Sequence, residues 1–324
     1  MSIVHSILEN YKLPAIEEAE YLGGAGGFSG AQIWKIRTSG QSYCLRRWPP
    51  SHPDRQRLEW INLVLVHVSN NGCPEISVPI NDKSGNRFLQ RFNFFWELAP
   101  WMPGTADFDL EPNDNRLANA MDCLARFHLA SAQVNLDFRP SPGIESRIRQ
   151  LNDVPKSLSR IGRSAMGASD HGLPTSLFLL RDKVVSQGAQ LARELHQQLS
   201  PFQKISVPVQ PVIRDIWHDH VLFSGDVVTG LVDFGAMQMD MVDMDISRLL
   251  GSLIGNEVAR WDGALDAYRS VRKLPIDFDC ILALDRCAVL LGSTNWLNWL
   301  LVEDRKFESP ESIDRRVTHL LNRI

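Results

Sequence analysis

The sequence predicts an α+β fold of two lobes. The smaller has an antiparallel sheet and one helix; the larger is mainly helical and carries a β-hairpin. Three observations predict this. Before position 96, alternating apolar and polar segments surround one amphipathic helical run, whereas helical periodicity dominates after position 114. A Pro/Gly-punctuated segment, Trp96 to Gly104, separates the two patterns. Inside the helical part, the apolar segments Val221–Phe223 and Leu231–Val232 flank a Ser-Gly-Asp turn at 224–226, the pattern of a hairpin with a short loop.

In order, residues 3–13 place Ile3, Ile7, Leu8 and Tyr11 on one face of a short leading helix. The glycine-rich stretch Gly23 to Gly30 opens two alternating segments, Ala31–Arg37 and Ser42–Trp48. Residues 55–69 form an amphipathic helix stopped by Asn70-Asn71-Gly72, with Pro74 beyond. Ile76–Ile80 and Arg87–Phe92 read as two more strands around the turn Asp82-Lys83-Ser84-Gly85. The small lobe therefore spans 1–96, the connector 97–104 and the large lobe 105–324. From 114, Leu117, Met121, Leu124 and His128 recur at helical spacing, and His128 reads as a core histidine. Residues 139–173 are Pro/Gly/Ser-rich and basic, which suggests a partly ordered insertion over the substrate. A long helix runs from Pro174 to about Leu199. Helices follow the hairpin at Ile246–Ile254, Trp261–Lys273, Asp279–Leu291 and Ser293–Leu301.

At 324 residues the chain can bury a sizeable core, and its 44% hydrophobic and 22% charged residues are those of an ordinary globular protein. A formal net charge of −4 argues against a general nucleic-acid binder. Five cysteines without a Cys-x-x-Cys pair point to reduced, buried thiols and a cytoplasmic location. His5, Glu9 and Lys12 break the N-terminal run, which is unlike a signal peptide. Asp285, Arg286, Asn295 and Asn298 interrupt the apolar run Cys280–Val302, so a pair of core helices is expected there rather than a membrane span.

The chemistry concentrates around the hairpin. Asp215 precedes it and Asp233 closes it within Asp233-Phe234-Gly235. Two carboxylates at one end of such a ribbon can hold Mg²⁺ and orient a hydroxyl for phosphoryl transfer. The protein-kinase pattern is Arg-Asp, four residues, Asn, then Asp-Phe-Gly. Here it is Arg214-Asp215, four residues, His220, then Asp233-Phe234-Gly235. The glycine loop lets backbone amides approach phosphate oxygens. Arg46 stands where a kinase sheet presents its phosphate-binding lysine, and Glu59 on the following helix is expected to reach back to it. Main-chain groups of the connector, around Glu97 and Ala99, are expected to read an adenine edge.

Strands, a helix, a connector and then helices interrupted by a hairpin give a protein-kinase-like order. More specifically, the chain resembles the aminoglycoside phosphotransferase and choline kinase superfamily of small-molecule kinases, over most of its length. Gly26-Gly27-Phe28-Ser29-Gly30 resembles that family's nucleotide loop, Trp96 to Gly104 its lobe connector, and Leu124-Ala125-Arg126-Phe127-His128 a characteristic helix. Arg214-Asp215 through Phe223 resembles its His-Gly-Asp…Asn loop, Asp233-Phe234-Gly235 its metal motif, and Asp243-Met244-Asp245-Ile246 the segment with the aspartate that braces the catalytic loop. The resemblance implies that ATP with Mg²⁺ is bound, that Asp215 positions and deprotonates the hydroxyl of a small-molecule acceptor, that Asp233 binds the metal, and that Asp245 is a support. Three departures stand out: Ile213-Arg214 for His-Gly, Arg46 for lysine, and His220 for the metal-binding asparagine. An imidazole there would suit Mn²⁺ better than Mg²⁺.

These departures also motivate an alternative, a nucleotide-binding protein with the kinase fold and little turnover. A third reading, a metal-dependent phosphohydrolase, takes Asp215, His218, Asp219 and His220 as ligands, but adjacent residues on a strand point apart. For the acceptor, Trp261, Trp296 and Trp299 with Asp262, Asp266 and Asp285 suggest an aromatic, negative pocket for an amine or aminosugar; tryptophans packed in the core are the alternative.

Overall fold

The computed structural model of the protein describes residues 3–24, 30–50, 52–164, 173–307 and 310–324. The fold is the α+β arrangement expected, with an antiparallel sheet and a mainly helical remainder. Two compact units result. The first comprises Met1–Val134, Trp217–Met237 and Ala267–Arg272; the second comprises Asn135–Ile216, Gln238–Asp266 and Lys273–Ile324. The connector expected at 97–104 lies inside the first unit.

In the first unit, α1 (Ile3–Leu8) packs on a five-stranded antiparallel sheet. Its strands are β1 (Ile16–Tyr21), β2 (Gln32–Thr38), β3 (Ser42–Arg47), β4 (Leu89–Arg91) and β5 (Phe94–Pro100), in the order β1-β2-β3-β5-β4. Alternation buries Ile36, Tyr43, Leu45, Trp96 and Leu98 against Ile7, Leu8 and Tyr11. Helix α2 (Arg55–Asn70) starts at Asp54, whose side chain accepts from the Arg57 amide, and it buries Leu58, Ile61, Leu65 and Val68 at helical spacing. Helix α3 (Asp114–Ser131) includes His128, fully buried, with Nδ1 2.9 Å from the Tyr268 hydroxyl. It is the core histidine expected. The hairpin is β8 (Val221–Ser224) and β9 (Val227–Leu231), turning through Gly225 at φ +59°. Its tip is held by Asn113, Asn115 and Asn119, which all donate to Asp226. Gly104, at φ +94°, passes so close to it that a Cβ would lie 2.6 Å from the Phe223 carbonyl oxygen.

Three differences from expectation have local causes. Strand β1 carries no apolar alternation because it is a largely exposed edge. Ile76–Ile80 is not a strand: Pro79 lacks a donor, Ile76 makes a lone bridge to Leu231, and the Ile80 amide bonds to Leu98. Residues 97–100 belong to β5, held in register with β3.

In the second unit, β7 (Val207–Val212) lies between β6 (Asp137–Arg139) and β10 (Gln238–Asp240). The core is made by α4 (Pro142–Arg163), α5 (Thr175–Leu199), α6 (Asp243–Leu253), α8 (Phe278–Leu297) and α9 (Pro310–Arg323). Helix α7 (Trp261–Val271) is divided between the units at Asp266/Ala267.

The expected insertion over 139–173 is instead helix α4 as far as Arg163. Ser141 caps it, Pro142 opens it, and Ile144, Ile148, Leu151, Val154, Leu158 and Ile161 form its buried stripe. Its basic residues masked that periodicity; positions 165–172 lie outside the described residues. The expected pair of C-terminal helices is one helix, α8, prolonged by a π-helical turn over Asn298–Val302. Ser293 and Thr294 do not break it, because their hydroxyls donate back to the Val289 and Leu290 carbonyls. Phe278–Val302 is long and apolar enough to cross a membrane, yet 72% of its most apolar window is buried within the protein, as in a core helix.

Candidate active site

In the first unit the candidate phosphate and metal side chains meet at the ends of β3 and β9. Arg46 Nη1 donates to Asp233 Oδ1 at 2.8 Å, and its guanidinium lies 4.7 Å from the centre of the Trp48 ring. Trp48 Nε1 donates to the buried Glu97 at 2.6 Å, and Asn62 of α2 donates to the same carboxylate at 2.9 Å. Gly235 packs on Trp48 so closely that a Cβ would lie 2.8 Å from the indole ring. Asp233 itself adopts φ +66°, a region few non-glycine residues enter.

Glu59 does not reach Arg46, which corrects the expectation. It is exposed and faces Arg55 at 3.7 Å. The carboxylate on the Arg46 side is Glu97, because Arg46 and Glu97 are direct partners across β3 and β5. Asn62, one turn after Glu59, makes the link from α2. Glu97 is thus a buried support rather than an open connector group, and Ala99 lies on β5 opposite Cys44. Gly26, Gly27, Phe28 and Ser29 lie outside the described residues.

His220 Nε2 stands 3.7 Å from Asp233 Oδ2. Burial pushes the Asp233 carboxyl up, but Arg46 and then His220 pull it further down, to about 2. A carboxyl depressed below its unfolded value of about 3.9 stabilises the fold above that pH and loses this stabilisation as pH falls through about 2. The side chain is 37% exposed, so screening reduces the contribution to about 1 kcal/mol. Urea unfolding from about pH 5 to about pH 2 should show the wild type losing about 1 kcal/mol more than Asp233→Asn. Parallel profiles would contradict the depressed value.

In the second unit, Asp215 sits on the loop after β7. Asp245, fully buried on α6, accepts the amides of Ile213 at 2.6 Å and Arg214 at 2.7 Å. Arg214 adopts φ +73°, a region glycine enters freely, which fits the glycine of the family motif at this position. Its side chain donates to Asp240 at 2.7 Å, and Asp240 also accepts from Ser141 at 2.5 Å. Asp215 keeps its side chain 57% exposed and accepts from Arg248 Nη2 at 2.8 Å.

The His/Asp run does not converge on one point. His218 Nδ1 lies 3.1 Å from Asp219 and 3.4 Å from Asp109, whereas His220 faces Asp233. Among the described residues, the group with metal-ligating atoms close together is Cys73, Glu75 and Cys123, and there Arg126 already grips both oxygens of Glu75. The tryptophans do not build an acidic pocket either. Trp261 is fully buried, Trp296 packs on Trp299 and Phe307, and Asp285 is paired with Arg323 at 2.5 Å.

Sequence reasoning missed Trp48, Asn62, Asp240 and Arg248. Cross-strand register could have found Glu97. Arg248, three residues after Asp245 on one helix, was accessible from helical spacing alone.

An antiparallel sheet with a strand Arg, a hairpin ending in Asp-Phe-Gly and a loop aspartate braced from a following helix define a protein-kinase-like small-molecule phosphotransferase. The chain belongs to the phosphotransferase enzyme family, whose profile matches residues 22–279. It is 24% identical over 258 residues to a homoserine kinase of Bradyrhizobium diazoefficiens, covering 76% of this chain and 70% of that one. Its fold is similar to that of a spectinomycin phosphotransferase solved with ADP and spectinomycin, at 12% identity and TM-score 0.71, over 99% of this chain and 94% of the other. A microcompartment-associated aminopropanol kinase is also similar, at 17% identity and TM-score 0.58, over 98% and 93%.

Proposed function

We propose that the protein transfers the terminal phosphoryl group of ATP, with Mg²⁺, to a hydroxyl group of a small metabolite. What supports this most is the Asp215 loop: a half-exposed carboxylate on a backbone clamped by the buried Asp245. The ADP complex of the spectinomycin enzyme supports an adenine nucleotide. In the transfer, the acceptor oxygen forms a bond to phosphorus, the bond to the ADP oxygen breaks, and Asp215 takes the hydroxyl proton. Asp233, with His220 beside it, supplies the donors suited to a divalent ion, which when bound would neutralise phosphate charge. Arg46 offers a guanidinium to the phosphates, and the main chain near Ala99 meets the adenine. A nucleotide-dependent reaction and five free thiols suit a cytoplasmic location.

Assaying ADP formation with Mg-ATP and a panel of hydroxyl metabolites tests the proposal, and acceptor-dependent ADP is the expected result. The Arg46–Asp233 pair at 2.8 Å favours a second possibility, nucleotide binding without turnover, since Arg46 occupies an oxygen the metal needs. Nucleotide binding with no ADP from any acceptor would select it.

His220 has its own test. Imidazole nitrogen is a softer donor than the carbonyl oxygen of asparagine. His220→Asn should therefore shift the metal preference of nucleotide binding from Mn²⁺ towards Mg²⁺. Identical metal preferences in wild type and variant would remove His220 from the ligand set.

A further inference from the structure

We propose that the acceptor of this phosphotransferase carries a carboxylate, and that Arg147 on α4 recognises it. The inference rests on the kinase reading and specifies its second substrate.

Two arginines of the second unit belong to the loop of Asp215 or bond to it, and a third lies on the helix that packs beside it. Arg248 bonds to Asp215 itself, and Arg214, the next residue in the chain, bonds to Asp240. The first turn of α4 lies directly on that second pair: a Cβ on Gly143 would stand 2.4 Å from Asp240 Oδ2 and 2.7 Å from Arg214 Nη1. Arg147 follows Gly143 by one helical turn, so it projects from the same face of α4. Arg214 and Arg248 each have a carboxylate partner. Arg147 has none among the described residues; its Nη1 reaches only the neutral Gln150, at 3.3 Å, and its Nε is buried without a hydrogen bond. Burial first, and the charges of Arg214 and Arg248 after it, make its protonated state less favourable than that of an exposed arginine, against the opposing influence of Cys287 and Asp240.

A half-buried guanidinium without a counterion is costly to keep. A carboxylate arriving with the substrate would supply the missing partner, matching the planar fork with two parallel hydrogen bonds. A cationic acceptor would meet the opposite field. The homoserine kinase relative acts on a hydroxyl amino acid, which is acceptor chemistry of this kind.

The test uses the full-length protein with saturating Mg-ATP and acceptors matched in pairs. L-homoserine is set against 3-amino-1-propanol, which lacks only the carboxylate, and 4-hydroxybutyrate against 1,4-butanediol. Where ADP forms, the carboxylate member of a pair should have the higher kcat/KM by at least about tenfold. Arg147→Gln should raise its KM by at least about tenfold and abolish the preference, while leaving the Kd of Mg-ATP unchanged. Arg147→Lys should recover part of the loss. Without acceptor, Arg147→Met should melt at or above the wild-type temperature, because it removes an uncompensated charge. A purely structural arginine would instead lower the melting temperature and leave the preference intact.

If no compound is turned over, saturation-transfer NMR of the same pairs with Mg-AMP-PNP reads binding directly. Carboxylate-selective signals lost in Arg147→Gln sustain the inference. Preference for an amine or diol, or signals unaffected by the substitution, overturns it. Failure of Mg-ATP itself to bind would overturn the kinase reading, and the carboxylate recognition that rests on it, as a separately visible result.

Discussion

Asp215→Asn should lower kcat by about 10²–10⁴-fold, the range lost when a positioned general base is removed. The dissociation constant for Mg-ATP should stay within about twofold, because the group that receives the hydroxyl proton does not hold the nucleotide. Folding should be unaffected. Asp215 is 57% exposed, its Arg248 pair is of the partly solvated kind that contributes little, and asparagine can still accept from Arg248. Single-turnover kinetics with a working acceptor, alongside nucleotide titration, reads both quantities. Retained turnover in the variant would remove Asp215 from the chemistry. Equal loss of nucleotide affinity would mean that its role is to bind rather than to take a proton.

The second large effect concerns Asp245. This fully buried carboxylate accepts two amides, from Ile213 and Arg214, at 2.6 and 2.7 Å. Removing it strands one buried and one partly buried donor, at about 1–3 kcal/mol for a fully buried one, so Asp245→Ala should cost about 2–4 kcal/mol of stability. It should also release Arg214 from φ +73°, a conformation that costs about 1–3 kcal/mol unless its surroundings enforce it. Asp215 is the next residue, so its placement should loosen and kcat should fall even under conditions where the variant is folded. Chemical denaturation and kcat on the folded fraction give the two numbers. A stable variant with unchanged kcat would show that the loop holds its own shape.

What could be read beforehand divides along a physical line. The hairpin, Asp233 and Asp245 are legible because they fall in contiguous motifs whose spacing the chemistry itself constrains. Glu97 takes the place expected of Glu59 because the sheet carboxylate beside Arg46 is set by cross-strand register, which emerges only when β3 and β5 pair. Helix α4 was hidden by composition. Basic residues at 147, 149, 156, 160 and 163 are interleaved with its apolar ones, and the stripe from Ile144 to Ile161 is visible only when read at helical period. The aromatic pocket failed for the opposite reason. Large aromatic side chains bury in most folds, and here Trp261 and Trp296 pack in the interior while Arg323 neutralises Asp285. Arg248 and Arg147 carry no motif. Their significance lies in which carboxylates they meet, or do not meet, and only packing decides that.

Isothermal titration of Mg-ATP into the wild type, Asp233→Asn and Asp215→Asn tests the central claim most directly. A nucleotide-dependent kinase should bind Mg-ATP at one site, lose affinity by at least about tenfold in Asp233→Asn, and keep it in Asp215→Asn. No heat of binding with Mg²⁺ or Mn²⁺, or affinity indifferent to Asp233, would contradict the proposal that this phosphotransferase uses ATP.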